Sequence, residues 1–167
     1  MIVFDASTLI LITKIELLDG FLGSIKLRAA IPGEVARECC GAKKTLDALL
    51  IQKALDESRI RVIEVRNRKL VAKLSADFGL GRGEAEAIVL ALKARANLVG
   101  IDDKNGINAC KLLGVGFTTA VGILVRSHQK GLLDRKRAMA KLATLAGYGR
   151  YKDSIIEDAR LRLEIPQ

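Results

Sequence analysis

Two periods of apolar and polar residues divide the chain. Residues 82–95 lack Pro, are rich in Ala, Leu and Glu, and repeat apolar positions at helical spacing (Ala87, Ile88, Ala91, Leu92), which predicts a helix. Gly81 and Gly83 punctuate its start, and Asn97 is its predicted stop. Residues 98–101 then form a short apolar run that ends abruptly in Asp102 and Asp103, the form of a buried central strand. A helix joined by a tight turn to the next strand runs back beside it, so the helix start and the strand end share one edge. Glu84 and Asp102, 18 positions apart, are therefore expected to be neighbours.

The same reading extends along the chain. Strands are predicted at 1–4, 25–31, 60–65 (alternating apolar and charged, hence half-exposed) and 115–118. Helices are predicted at 9–18, from Pro32 onward, and at 45–58, 68–78 (with Asn67 as its cap), 104–113, 120–128, 132–145 and 151–163, with a turn at 41–44. The first strand stops at Asp5, followed by Ser7, which can cap the next helix or touch a ligand. Open α/β sheets place their chemistry at the carboxyl ends of the strands, where Asp5 falls. In the helix after Pro32, Glu34 is explained as a first-turn acid. Glu38, three positions after Val35, is expected on a packed face and is the preferred site acid there. The opposing view makes Glu84 a helix-start acid, Asp102 a loop or capping residue and Glu38 a solvated helix-end acid.

Composition sharpens this picture. The 167 residues are 50% apolar with few aromatics, enough for one domain (1–167) with an aliphatic core. No apolar run reaches ~18 residues, so no membrane span is expected, and the start lacks the pattern of a signal peptide, so a cytoplasmic protein is expected. Lys and Arg total 28 against 19 acids, a net charge of +9, which favours nucleic acid as partner. Acids at strand ends of so basic a chain suggest an acidic metal pocket within a phosphate-attracting surface. The tail carries Arg126, Lys130, Arg135, Lys136, Arg137 and Lys141, a grip for a phosphate backbone or simply a solvated face. Three cysteines (Cys39, Cys40, Cys110) without CxxC, beside a single histidine, argue against disulfides and against zinc. His128 reads as a surface residue. The glycines at 79, 81 and 83 do not have the spacing of a dinucleotide fingerprint, and no Walker sequence is present.

Asp5, Glu38, Glu84 and Asp102 are thus all expected at one edge of a parallel sheet. Phosphodiester cleavage without a nucleophilic Ser or a His base needs another source of hydroxide and a way to neutralise phosphate charge. Carboxylate-bound Mg²⁺ or Mn²⁺ supplies both.

Four motifs in order, IVFDAST (2–8), IPGEVARE (31–38), GRGEAEAIVLA (81–91) and LVGIDD (98–103), resemble the PIN-domain family, especially its prokaryotic toxin-like (VapC-type) branch. The likeness continues through TAVGILVRSHQKGLL (119–133). It implies a three-layer α/β/α sandwich with a mainly parallel central sheet, the C-terminal helices (about 119–167) packed on the core. It further implies a Mg²⁺- or Mn²⁺-dependent endoribonuclease acting on RNA, usually a homodimer and often restrained by a small antitoxin protein. Matched by position, Asp5, Glu84 and Asp102 are the metal ligands, with Asp103 a possible extra one. Glu38 matches the second acid. The mechanism expected from this set has Glu38 orient or deprotonate the attacking water, Ser7 help place the scissile phosphate, and Lys104 or the tail arginines balance substrate charge. Relatives often have Asp where Glu84 stands, and Glu86 competes for that place. Two rivals remain: a PIN-like protein that binds RNA or a partner without cutting, and a haloacid-dehalogenase-like phosphatase. The latter fits FDAST but lacks its acid/base Asp, since Ser7 occupies that position.

Overall fold

The computed structural model describes residues 1–42 and 44–165. Lys43, in the expected turn, and residues 166–167 of the expected tail lie outside the described residues. In chain order the elements are β1 (Ile2–Phe4), α1 (Ala6–Lys14), α2 (Leu18–Ser24), β2 (Ala29–Pro32), α3 (Gly33–Cys40), α4 (Leu46–Asp56), β3 (Ile60–Ile63), α5 (Arg68–Phe78), α6 (Arg82–Ala94), β4 (Leu98–Gly100), α7 (Lys104–Leu112), β5 (Phe117–Thr118), α8 (Ala120–Gln129), α9 (Arg135–Tyr148) and α10 (Asp153–Glu164). The five strands form one all-parallel sheet in the order β3-β2-β1-β4-β5.

Side chains alternate across a strand, and the sheet uses both faces. Ile2, Phe4, Ala29, Ile31 and Ile60 point into one core, shared with α1, α3, α4 and the helices α8 to α10. Val3, Val99 and Ile101 point into the other, against α5, α6 and α7. The result is the expected three-layer sandwich, with the C-terminal helices packed on one face. Because β1 and β4 pair directly, Val3 opposite Val99 and Phe4 opposite Gly100, Asp5, directly after Phe4, and Asp102, two residues after Gly100, leave the sheet at the same edge.

Several elements differ from their sequence expectation, each for a local reason. The first helix starts at Ala6, capped by Asp5, whose carboxylate accepts the Thr8 N–H. Ser7 lies inside the helix and is not its cap. The expected helix 9–18 breaks at Glu16, whose φ of 53° is left-handed, and a short α2 resumes at Leu18. α6 covers the expected 82–95 to within one residue, but the left-handed residue that ends it is Arg95 (φ 48°), not Asn97. α9 begins three residues after 132, where Asp134 caps it through the Arg137 N–H. By contrast α5 runs as expected, with Asn67 capping it through the Leu70 N–H. His128 is buried, its Nδ1 2.9 Å from the Leu133 carbonyl, not at the surface. Cys39 and Cys110 are buried, and Cys40 is half-buried.

Among the described residues, no helix is long and apolar enough to cross a membrane.

Candidate functional site

The carboxyl ends of the two central strands carry the first pair of acids. Asp5 is 1% exposed. Its Oδ1 accepts the Thr8 N–H (2.8 Å) and its Oδ2 accepts the Ser7 hydroxyl (2.6 Å). Burial pushes its carboxyl up to about 7; the bonds from Ser7 and Thr8 pull the other way, and Asp102 adds to the rise. The buried Cys110 thiol is pushed up to about 11, first by burial and then by the Asp5 charge nearby.

Asp102 is held by three donors from three separate segments. Thr8 Oγ1 donates to Oδ2 at 2.7 Å, the Ala120 N–H at the start of α8 reaches Oδ2 at 2.9 Å, and the Tyr151 hydroxyl donates to Oδ1 at 2.6 Å. Burial and the Asp102 charge push the Tyr151 hydroxyl well above the usual phenol range, so it stays a donor.

A second group of acids sits at the start of α6. The Glu84 carboxylate accepts the Gly81 N–H at 3.0 Å, one half of a capping box. Burial raises its carboxyl, Gly81 opposes that, and Asp103 and Glu38 add repulsion. Asp103 caps α7 through the Asn105 and Gly106 N–H groups (2.7 and 3.1 Å). Glu38 is exposed, unlike the buried Val35 on whose face it was expected, and its carboxylate lies over Gly83, where a Cβ would come within 2.5 Å of Oε1. The acids facing Glu84 are therefore Asp103 and Glu38, whereas Asp102 faces Asp5. Lys104 is exposed in the first turn of α7.

Glu86 is engaged elsewhere. It is 1% exposed, ion-paired to Arg68 (2.5 Å) and Arg82 (3.5 Å), and accepts the Glu34 N–H at 3.3 Å. Two positions along a helix turn a side chain to the opposite face from Glu84. Glu86→Gln is expected to lower stability by about 1–3 kcal/mol, through its weakened bonds to Arg68 and Arg82, and to leave any metal response at the wild-type level. Urea titration with and without Mn²⁺ checks this; a lost metal response would return Glu86 to the ligand set.

As placed, no group of three His, Cys, Asp or Glu side chains among the described residues is arranged to hold a metal ion. The donor chemistry nevertheless fits a hard divalent cation. The acids offer only oxygen, and Asp5, Glu84, Asp102 and Asp103 have no ion-pair partner among the described residues. A buried carboxylate such as Asp5 with no cation beside it is costly when ionised. Sequence reasoning missed Tyr151, whose hydroxyl reaches Asp102 across 49 positions with no local signal to mark it.

No curated protein and no solved structure matches the chain. A family model described as a PIN domain matches residues 1–163. With that match over nearly its whole length, and a parallel sheet bearing acids at its carboxyl edge, the chain belongs to the PIN-domain family, whose members are generally nucleases.

Proposed function

We propose that this chain is a Mg²⁺- or Mn²⁺-dependent endoribonuclease built as one domain. The observation that carries the reading is the buried Asp5 beside Asp102, two carboxylates at adjacent strand ends with no basic side chain between them. In this reading Asp5, Glu84 and Asp102 hold the metal, with Asp103 as an additional ligand. When bound, the metal supplies a hydroxide at neutral pH and neutralises charge on the phosphate. Glu38, exposed at the rim over Gly83, orients the attacking water and takes its proton. Ser7 is exposed and already bonded to Asp5, so its hydroxyl fixes that ligand and lies within reach of the scissile phosphate. Lys104 balances substrate charge beside Asp103, and the net charge of +9 draws RNA toward the acidic centre.

The reading extends to the toxin-like branch, a nuclease restrained by a small antitoxin protein. An odd count of three cysteines with no CxxC supports a reducing, cytoplasmic setting. Leu46 (72% exposed) and Leu49 (57%) on α4 support a homodimer. The phosphatase rival loses its ground with the family assignment, and Ser7 in the place of its acid/base Asp had already weakened it.

The test is cleavage of a mixed panel of labelled RNAs with Mg²⁺, Mn²⁺ or EDTA, comparing wild type with Asp5→Asn. Metal-dependent cutting that Asp5→Asn reduces to background is the expected result. RNA binding without cutting in every metal, unchanged by Asp5→Asn, replaces this reading with a non-catalytic RNA-binding protein.

A further inference from the structure

Asp102 is the most heavily bonded acid at the sheet edge, and one of its donors comes from outside the α/β core. Tyr151 lies in the segment between α9 and α10, after Gly149. Its ring packs half-buried against the apolar core on the α1 and α8 side, and its hydroxyl meets Asp102 Oδ1 at 2.6 Å. A bond of that length from a hydroxyl to a carboxylate is charge-assisted and strong. The backbone is shaped to allow it, since a Cβ on Gly149 would overlap the Tyr151 ring. A Phe ring would fill the same apolar space, so the hydroxyl is needed only for Asp102. The other tyrosine, Tyr148, is exposed and lies under the Lys14 ammonium instead.

A carboxylate offers about four lone-pair sites. Thr8, Ala120 and Tyr151 donate to that of Asp102, the Ala120 N–H reaching both oxygens (2.9 and 3.3 Å), and together they stop the group from rotating. We infer that Tyr151 is a positioning residue that fixes the Asp102 carboxylate for metal binding, so that the tail of the chain completes the centre at the sheet edge. This rests on the metal-dependent reading above. Groups that orient a metal-binding carboxylate or imidazole typically change metal affinity 10- to 100-fold when removed.

The experiment is Mn²⁺ calorimetry on the full chain as wild type, Asp5→Asn, Tyr151→Phe and Gly149→Ala, followed by RNA cleavage across a Mn²⁺ titration. Tyr151→Phe removes only the hydroxyl. Gly149→Ala keeps the hydroxyl but drives the ring aside. Both are expected to bind Mn²⁺ about tenfold more weakly than wild type, with cleavage restored toward the wild-type kcat by excess Mn²⁺. A merely structural role would not be rescued by metal. Wild-type or tighter Mn²⁺ affinity in Tyr151→Phe overturns the inference while leaving the nuclease reading intact, provided wild type binds Mn²⁺ and Asp5→Asn does not. If wild type itself binds no Mn²⁺ that Asp5→Asn abolishes, the metal-dependent reading falls and this inference with it.

Discussion

Asp5→Asn makes the metal-free protein more stable at pH 8, by up to about 4 kcal/mol. The Asp5 carboxyl, ordinarily near 3.8, is pushed up to about 7 in the fold, chiefly by burial. Below pH 3.8 it is protonated in the folded and the unfolded chain alike, and the fold carries no penalty. Between 3.8 and 7 the unfolded chain gives up the proton and the folded chain keeps it, so stability falls as pH rises. Above 7 the loss is complete and an uncompensated charge stays buried. Asn holds the neutral form at every pH, and its side-chain carbonyl still accepts the Thr8 N–H that caps α1. Urea unfolding in EDTA at pH 5 and pH 8 measures the effect. The difference between variant and wild type grows from pH 5 to pH 8, and a variant no more stable than wild type at pH 8 refutes the account. Saturating Mn²⁺ reverses the ranking, because the wild type then gains the binding energy and the variant does not.

Phe4→Ala costs about 3–5 kcal/mol, the range for losing a fully buried aromatic ring. Phe4 is completely buried one residue before Asp5, with its ring edge-on to Phe21 at 6.2 Å between centroids. The same ring occupies the place that a side chain on Gly100 of β4 would take, since a Cβ there comes within 2.5 Å of Phe4 Cδ1. Gly100→Ala alone therefore overpacks the junction of the two site strands, at a cost of about 1–3 kcal/mol. In the double variant the new methyl enters the space the ring has left, so the two costs do not add. A double-mutant cycle by urea titration is expected to show a favourable coupling of about 1 kcal/mol or more. Additivity within about 0.5 kcal/mol would mean that Phe4 and Gly100 do not share that space.

The parts of this molecule that could be read in advance are those written in neighbouring residues. An apolar run that ends in an acid marks both Asp5 and Asp102, and Asn67 before a periodic segment marks α5. The acids were legible as residents of one sheet edge because parallel strands all end on the same side. Their pairing was not. Glu84 faces Asp103 and Glu38, because the start of α6 lies over that end of the sheet edge while direct β1–β4 pairing gives Asp102 to Asp5. The break at Glu16 interrupts an apolar series that looks continuous, since burial of Leu17 and Leu18 after a left-handed turn leaves the composition unchanged. His128 follows Val121, Leu124 and Val125 at helical spacing, so its burial was legible in the pattern, and the Leu133 carbonyl gives its ring a polar partner inside. Tyr151 is set by tertiary contact alone, and local propensity is silent about such contacts.

The wiring of Asp102 also sets an order of events during synthesis. Chains emerge from the amino end, and the segment bearing Asp5 is made first. Its β-sheet neighbour β4 appears only around residue 98, the N–H that steadies Asp102 at residue 120, and the hydroxyl at residue 151. A growing chain thus holds its first acid for most of its translation without the groups that orient the partner acid. Under the proposed nuclease reading, the ribosome, which is built largely of RNA, works beside a chain whose Asp102 lacks its Tyr151 bond until residue 151 has been added.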